Sequence, residues 1–290
     1  MAVPSDKHNG KAGIGMGMIG VFIIILLVLW YIRQRLLMEE PKQMLQIGNG
    51  QTIGRRAEQD DYFATATTPL GTIAVLADGI SGLANGRLAS TIAVDVFIQE
   101  FQKLTSIEQI ESFFARASRL SNSEIIHTLR GTKGGTTIVA AVIADGYLYW
   151  GAVGDSLIKI FRNQDFMTVN QKHVLQSVLH EQYLARQITK QDVLNNPLKH
   201  RLINYIGYEG FKNIEIGQQP LALYKGDKVI LCSDGVYNSI TEIEMAYILA
   251  EAASPYDAAQ NIIEVIDCKK LRNQDNATIV IVEDGEQGYG

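Results

Sequence analysis

The feature that most constrains the fold is a pair of strand-like runs joined by a turn that is too short to hold a helix. Residues 136–143 and 147–153 are rich in β-branched and aromatic side chains, and Asp145-Gly146 stands between them. Asp-Gly is a common two-residue hairpin turn, because both positions of that turn need a positive φ. Parallel strands would instead require a crossover connection of about a dozen residues or more. The sequence therefore predicts antiparallel pairing at this point.

Further strand-like and helix-like runs extend this pattern along the chain. The strand-like runs are residues 72–77, 157–161, 228–232 and 277–282. Apolar residues recur at helical spacing in residues 87–104, 107–129, 174–186, 242–252 and 256–266. Because several strands follow one another without an intervening helix, we expect an α+β fold with largely antiparallel sheets rather than a doubly wound parallel sheet.

An uncharged apolar run near the N-terminus predicts a transmembrane helix over about residues 14–32. As a helix these 19 residues would span roughly 28 Å, close to the thickness of the hydrocarbon core of a bilayer. Trp30 and Tyr31, followed by basic residues, end the run as they would at a membrane interface. A cleaved signal peptide is the alternative, but no small-residue cleavage site follows the run.

The residues that flank this run predict an orientation and leave a helix pair open. The basic residues after the run, Arg33, Arg35 and Lys42, are denser than those before it. We therefore expect the helix to be a single-pass anchor with the C-terminal part of the chain in the cytoplasm. Gly13 and Gly17 have the spacing that lets two membrane helices approach closely, so a helix-mediated dimer is an open alternative.

We divide the chain into an N-terminal segment (residues 1–45), one domain (residues 46–284) and a short polar tail (residues 285–290). The N-terminal segment carries a net charge of +2, and the rest of the chain carries −7. An acidic domain without a basic stripe is a poor ligand for nucleic acid, so this class of partner is excluded. The acidity instead suggests carboxylates that are gathered to hold cations.

Four aspartates stand where apolar strands end or begin. Asp78, Asp155 and Asp234 follow strand-like runs, and Asp275 directly precedes one. Each taken singly is as well explained by a turn, since Asp beside a small residue is a common turn sequence. Carboxylate oxygens are also the ligands of hard divalent cations, and several buried carboxylates would repel one another without such ions. Together with the charged cluster at residues 55–61, the four aspartates predict a metal centre.

Six motifs carry a resemblance to a known family. GRRAEQDDYF, LADGISGLANGRLAS, GGTTIVAAVI, GAVGDS, LCSDGV and DNAT occur in the order and approximate spacing of the metal-dependent protein phosphatases, the protein phosphatase 2C or PPM type. The chain resembles this family over residues 50–284. The resemblance implies two packed antiparallel β-sheets flanked by helices, an α-β-β-α sandwich, with a binuclear Mn²⁺ or Mg²⁺ centre at one end.

The resemblance also implies roles for the metal-binding positions. Asp78 matches the carboxylate that bridges the two metal ions, and Gly79 matches a ligand that binds through its backbone carbonyl. Asp234 and Asp275 match the remaining carboxylates on the first metal ion. Asp155 matches a residue that helps to hold a third ion in bacterial members.

Two further positions match residues that act on the substrate and on water. Arg55 matches the arginine that binds the substrate phosphate, and Arg56 takes that role if the alignment is off by one residue. Asp60 matches an acidic residue that orients metal-bound water from the outer shell. An arginine suits the first task because its planar guanidinium can donate two parallel hydrogen bonds to a phosphate.

Four positions depart from the family pattern, one of them Leu157, which replaces an arginine often found two residues after the aspartate of GDS. Gln59 stands where many members have a glutamate that reaches a metal ion through water. Ile80 stands where eukaryotic members have a histidine proposed as a general acid. Lys172 replaces the aspartate of an Asp-His pair, of which His173 is kept. These departures concern the charge of the centre and the protonation of the leaving group.

Three functions are consistent with the sequence. The first is a membrane-anchored phosphatase that hydrolyses phosphoserine and phosphothreonine on a protein substrate and acts in the pathway of a cognate Ser/Thr kinase. The second is a catalytically weak or inactive phosphatase-like module that binds a partner at the membrane. The third is a two-metal nuclease or other phosphoesterase, which the acidic charge disfavours. Cysteine-based phosphatase chemistry is unsupported, because Cys232 lies in no Cys-x5-Arg loop.

Overall fold

The computed structural model of the chain describes Val21 and residues 23–33, 45–80 and 83–284. The chain divides after residue 44 into an N-terminal unit and a larger unit that begins at Leu45. In the N-terminal unit, Val21 and residues 23–33 are helical (α1), and their side chains are exposed. The other residues of the predicted membrane span, and the predicted tail at residues 285–290, lie outside the described residues. Within the described part of the chain, no helix is both long enough and apolar enough to cross a membrane.

Two antiparallel sheets build the larger unit. The first sheet has the strand order β1-β11-β10-β6-β7, with β1 (Leu45–Thr52), β6 (Leu157–Arg162), β7 (Asp165–Thr168), β10 (Lys228–Cys232) and β11 (Ala277–Asp284). The second sheet has the order β2-β3-β4-β5-β8, with β2 (Tyr62–Thr68), β3 (Gly71–Ala77), β4 (Ile138–Ala144), β5 (Tyr147–Val153) and β8 (Glu215–Ile216). A short strand β9 (Leu221–Ala222) also pairs with β5.

Among the residues that the structure describes, seven helices join the strands of the larger unit. They are α2 (Gly86–Gln102), α3 (Ile110–Leu129), α4 (Leu175–Leu184), α5 (Lys190–Asn195), α6 (Asp234–Tyr237), α7 (Glu242–Glu251) and α8 (Pro255–Cys268), and a 3₁₀ turn (Ile107–Gln109) leads into α3. Helices α2 and α3 pack on the second sheet, and α7 and α8 pack on the first. The larger unit is therefore an α-β-β-α sandwich, which confirms the predicted α+β class and the two packed antiparallel sheets.

The central strands are buried on both faces. In β3, Ile73 and Val75 face the helices α2 and α3, whereas Ala74 and Leu76 face the other sheet. All four side chains are almost fully excluded from solvent. Burial on both faces explains why these strands are continuous apolar runs rather than alternating ones.

The predicted hairpin is confirmed, and most predicted elements agree with the structure to within a few residues. Strands β4 and β5 pair around Asp145-Gly146, with Ala144 opposite Tyr147. Strand β4 begins at Ile138 rather than at the predicted Thr136, because Thr136 makes isolated bridges to Gly79 and Ile206 instead.

Strand β1 is absent from the predicted strands, because its segment contains two glycines, which weaken a strand prediction. The structure shows what these glycines do. A Cβ at Gly48 would overlap the backbone of Pro255 and Tyr256, and one at Gly50 would lie 2.7 Å from the carbonyl oxygen of Ala259. The bare backbone thus lets α8 lie directly against the edge strand, and tertiary packing rather than strand propensity selected these residues.

Candidate metal centre

The four aspartates at strand ends meet in one cavity. Asp78 follows β3, Asp155 follows β5, Asp234 follows β10, and Asp275 precedes β11, so that both sheets contribute to the site. All four line a cavity of about 470 Å³. The structure therefore brings together the carboxylates that the sequence singled out as metal ligands.

Hydrogen bonds from β4 fix the backbone around Asp78. The backbone N–H of Asp78 donates to Thr137 Oγ1 over 3.2 Å, and its carbonyl accepts from Thr136 Oγ1 and from the backbone N–H of Thr137, both over 2.8 Å. Gly79 donates its N–H to the carbonyl of Asp60, and a Cβ at Gly79 would lie 2.5 Å from the carbonyl carbon of Gly86. Only a residue without a side chain can hold the start of α2 this close to the Asp78 turn.

A second close approach of two backbone segments joins Asp234 to Asp275. Gly235 packs directly on the carbonyl of Asn276, where a Cβ would overlap the oxygen. The side chain of Asn276 also donates to the carbonyls of Ile53 and Glu58 and accepts from the N–H of Asp60. Asn276 thus ties the loop that carries the predicted arginines and Asp60 to the aspartate that precedes β11.

Asp60 lies beside Asp78 but does not line the cavity. Its carboxylate accepts the backbone N–H of Arg87 in the first turn of α2, and burial raises its pKa above the ordinary value of 3.8. Its carbonyl accepts from Ser90 Oγ over 2.6 Å. Asp60 thus lies outside the set of residues that line the cavity, and its role in orienting metal-bound water stays a prediction.

The two adjacent arginines differ in what they contact. Arg56 pairs its guanidinium with the carboxylate of Asp275 over 2.6 Å. Arg55 donates its backbone N–H to the carbonyl of Gln274, and its side chain is exposed and does not line the cavity. In this structure Arg56, which the sequence offered as the alternative to Arg55, is the arginine that reaches the carboxylates.

Asp61 is a buried acidic residue that was not among the predicted site residues. Its side chain is only 3% exposed; Oδ2 accepts from Ser233 Oγ over 2.8 Å, and Oδ1 has no hydrogen-bond partner. Burial raises its pKa to about 6. The Asp60-Asp61 pair was visible in the sequence, but nothing in it showed which of the two carboxylates would lie inside.

The side chain of Gln59 is used within its own loop. Its Nε2 donates to the carbonyl of Thr52 over 3.0 Å, and its Oε1 accepts the backbone N–H of Asp61 over 3.2 Å. The amide therefore stabilises the turn around Asp60, and Asp61 adds a negative charge that Gln59 lacks.

Two carboxylates of the cavity, Asp78 and Asp234, have raised pKa values because they are buried among other carboxylates. The pKa of Asp78 lies well above 3.8 because the group is buried and because Asp61, Asp234, Asp155 and Asp275 surround it with negative charge. Burial, followed by the charges of Asp155 and Asp275, raises the pKa of Asp234 to about 7. Such a group of oxygen donors is costly to ionise unless cations are present.

The chemistry of this donor set fits a hard divalent cation. The carboxylates that line the cavity offer only oxygen atoms and carry several negative charges, and the neighbouring Asp61 Oδ1 is buried without a partner. Among the described residues, no three aspartate, glutamate, histidine or cysteine side chains already form a group that could hold a metal ion. The carboxylates thus share one cavity without standing in a ligating arrangement.

Lys172 and Tyr237 adjoin Asp155. Lys172 Nζ lies 3.4 Å from the centre of the Tyr237 ring, and the Tyr237 hydroxyl donates to the backbone carbonyl of Asp155 over 3.1 Å. Burial raises the pKa of Asp155, while the charge of Lys172 is the largest influence that lowers it. Burial likewise lowers the pKa of Lys172, and Asp155 is the strongest of the charges that oppose this shift.

The mouth of the cavity is formed by residues to which the sequence gave no role. His200, Arg201, Leu202 and Tyr205 line it, in the part of the chain between α5 and β8. This segment is anchored near the centre, because the backbones of Ile206 and Thr136 exchange two hydrogen bonds of 2.9 Å. Long loops carry few periodic signals, so only the fold could show that this segment reaches the site.

Comparisons with known proteins agree with this geometry. The family model for protein phosphatase 2C matches residues 50–267. The serine/threonine phosphatase stp of Listeria monocytogenes is 29% identical over 220 residues, which cover 73% of this chain and 84% of that protein. Among solved structures, the serine/threonine phosphatase of S. agalactiae superposes with a TM-score of 0.73 at 24% identity and covers 83% of this chain and 100% of its own.

A third relative was solved with metal ions. The catalytic domain of the serine/threonine protein phosphatase PstP, in complex with two manganese ions, superposes with a TM-score of 0.66 at 20% identity. The match covers 82% of this chain and 97% of that one. The similarity of these two structures concerns the fold.

Proposed function

This chain belongs to the protein phosphatase 2C family and is a protein serine/threonine phosphatase, and from this premise we propose that its reaction depends on two divalent ions, Mn²⁺ or Mg²⁺, held in the aspartate cavity. The substrates are phosphoserine and phosphothreonine residues of proteins. One observation carries the proposal: four aspartates from the ends of four strands in two sheets line the same cavity.

We assign the metal ligands to the residues that converge there. Asp78, Asp234 and Asp275 would hold the ions with their carboxylates, and Gly79 would do so with its backbone carbonyl. When bound, two such ions neutralise the charge of a phosphate ester and make a water molecule a better nucleophile near neutral pH. Their positive charge would also relieve the repulsion that raises the pKa of Asp78 and Asp234.

The other residues of the site bind the substrate and hold the carboxylates in place. Arg56 is close enough to the centre for its guanidinium to leave Asp275 and bind a phosphate oxygen instead. Arg201, which lines the cavity, can contact the phosphorylated segment of a protein. Asp60 is fixed by Asn276 and Arg87 behind Asp78, where it can orient water through hydrogen bonds. With Ile80 at the cavity wall in place of a histidine, the proton for the leaving oxygen must come from water or from another residue.

Cysteine chemistry has no support at this site. Cys232 is fully buried, and burial raises the pKa of its thiol to about 12. A thiol with such a pKa is not ionised near neutral pH and is a poor nucleophile. The hydrolysis we propose therefore does not pass through a phosphocysteine at Cys232.

We further propose that the N-terminal segment anchors the enzyme in a membrane as a single-pass helix, with the phosphatase domain in the cytoplasm. The support comes from the 19 uncharged residues at 14–32 and from the helical, exposed apolar side chains at Val21 and residues 23–32. There the enzyme would act on phosphoproteins in the pathway of a cognate Ser/Thr kinase, and Gly13 and Gly17 could pair two anchors.

The test is hydrolysis of a phosphothreonine peptide by the full chain in detergent, with and without Mn²⁺. We expect activity that requires Mn²⁺ and that falls at least about a hundredfold in Asp78→Asn. Asp95→Asn is the matched control, because Asp95 is an exposed aspartate on the outer helix α2. A folded wild-type chain that binds Mn²⁺ and hydrolyses nothing would contradict the proposal and favour a binding module.

A further inference from the structure

Lys172 is held beside the centre by its own segment of backbone. Its carbonyl accepts from Ser177 Oγ over 2.6 Å, and the N–H of the next residue, His173, donates to the carbonyl of Gly154 over 2.7 Å. Gly154 in turn donates its N–H to His173 Nδ1 over 3.2 Å. These bonds lock the Lys172 backbone against the turn that presents Asp155.

The ammonium group of Lys172 is aimed at the same turn. It lies 3.4 Å from the centre of the Tyr237 ring, a position in which the ring stabilises a cation. The hydroxyl of that ring is bonded to the backbone of Asp155. Lys172 is half-buried, so its charge is poorly screened by solvent.

The protein thus supplies cations to only part of the aspartate group. Asp275 has Arg56 as its partner, and Asp155 has Lys172 as its main compensating charge. The charges that bear most strongly on Asp78 and Asp234 are all those of other carboxylates. Side chains therefore offset the charge of Asp275 and Asp155, while the charge of Asp78 and Asp234 is left for ions from solution.

We propose that Lys172 is a fixed counter-ion of Asp155, and that it keeps this side of the centre from binding an additional metal ion. The inference rests on the proposed function, since it concerns where metal ions bind. A divalent ion at Asp155 would be repelled by the ammonium group, which lies on the ring whose hydroxyl bonds the Asp155 backbone. Lys172 is in this sense a positioning residue, which confines the divalent ions to Asp78, Asp234 and Asp275.

The experiment counts bound Mn²⁺ by the electron paramagnetic resonance signal of the free ion during titration of the full chain in detergent. We expect wild type and Asp155→Asn to bind the same number of ions, although loss of the Asp155 charge, which bears on Asp234, lowers their affinity. Lys172→Gln should bind one further ion, and its affinity should fall at least about tenfold when Asp155→Asn is added. Lys172→Arg keeps the charge and should behave as wild type.

Two results would overturn the inference. One is the loss of a bound ion in Asp155→Asn alone, which would make Asp155 a ligand despite Lys172. The other is a Lys172→Gln protein that folds and binds no further ion. Should Lys172→Gln fail to fold, Lys172→Met, which keeps the apolar stem and removes the charge, takes its place in the same titration and should bind one further ion. A wild-type chain that binds no Mn²⁺ would instead contradict the proposed function, and this inference with it.

Discussion

Replacement of Gly235 by alanine should separate two of the proposed ligands. A Cβ at this position would lie 1.8 Å from the carbonyl oxygen of Asn276, whereas Cβ atoms in proteins essentially never approach another heavy atom within 3.0 Å. The obstacle is backbone, so the two segments must move apart by more than about 1 Å. Ser233 and Thr278 exchange two hydrogen bonds of 3.0 Å on the same segments, and these bonds would be strained or lost.

The expected cost follows from these contacts. Two buried hydrogen bonds are worth about 1 kcal/mol each, and overpacking adds about 1 to 3 kcal/mol, so Gly235→Ala should lower the free energy of unfolding by about 3 kcal/mol or more. The control is Gly146→Ala, since a Cβ at Gly146 meets nothing within 4 Å and only the positive φ of 77° is unfavourable. That variant should lose only about 1 kcal/mol.

Urea denaturation and Mn²⁺ titration of the two variants measure the effect. Because Asp234 precedes Gly235 and Asp275 precedes Asn276, Gly235→Ala should also weaken Mn²⁺ binding at least about tenfold, whereas Gly146→Ala should leave it unchanged. The reasoning would be refuted by a Gly235→Ala protein whose stability and Mn²⁺ affinity both equal those of the control.

Three further expectations concern charge at the site. Arg56→Ala should raise KM for a phosphopeptide more than Arg55→Ala does, because Arg56 pairs with Asp275, one of the carboxylates of the cavity; the reverse order in steady-state kinetics would restore Arg55 as the phosphate ligand. Asp61→Asn should stabilise the metal-free protein and weaken Mn²⁺ binding, since it removes a buried charge that repels Asp78. Calorimetric scans with and without Mn²⁺ test this, and a lower melting temperature of the metal-free variant, or a larger rise of its melting temperature with Mn²⁺, would contradict it. The free energy of unfolding of the metal-free protein should fall by on the order of 2 kcal/mol as pH rises from 4 to 7. The reason is that Asp234, with a pKa of about 7 in the folded state against an ordinary 3.8, makes the folded state bind more protons than the unfolded state in that window. Urea unfolding in EDTA at pH 5 and pH 8 measures the change, and greater stability at pH 8 would be inconsistent with it.

The carboxylates of the site were predictable because each stands at a recognisable boundary. Asp78, Asp155, Asp234 and Asp275 adjoin apolar strands whose buried runs are long enough to be seen in the sequence. Strand ends that belong to two packed sheets meet at an edge of the sandwich, so residues at such boundaries can share one cavity. Local pattern alone sufficed to identify them, although it could not say how far apart their oxygens lie.

The residues that were missed act through contacts that have no local pattern. Asp61 and Asp60 are adjacent acidic residues, and only the packing of Ser233 against β11 decides that Asp61 points inward. Arg55 and Arg56 are likewise adjacent, and the turn before Asp60 directs the second of them to Asp275. The choice between neighbours in a loop depends on backbone dihedral angles that side-chain type does not determine.

The sequence by itself determined the fold class, the antiparallel pairing around Asp145-Gly146 and the set of oxygen donors, because strand periodicity and turn chemistry are local properties. Only the tertiary structure decided which charges compensate that set. Arg56 lies far from Asp275 along the chain, and Lys172 lies far from Tyr237, whose hydroxyl bonds the Asp155 backbone; both contacts form because the two sheets and their loops close around one cavity. Charge compensation depends on distance in space rather than on distance in sequence, and the fold alone sets that distance.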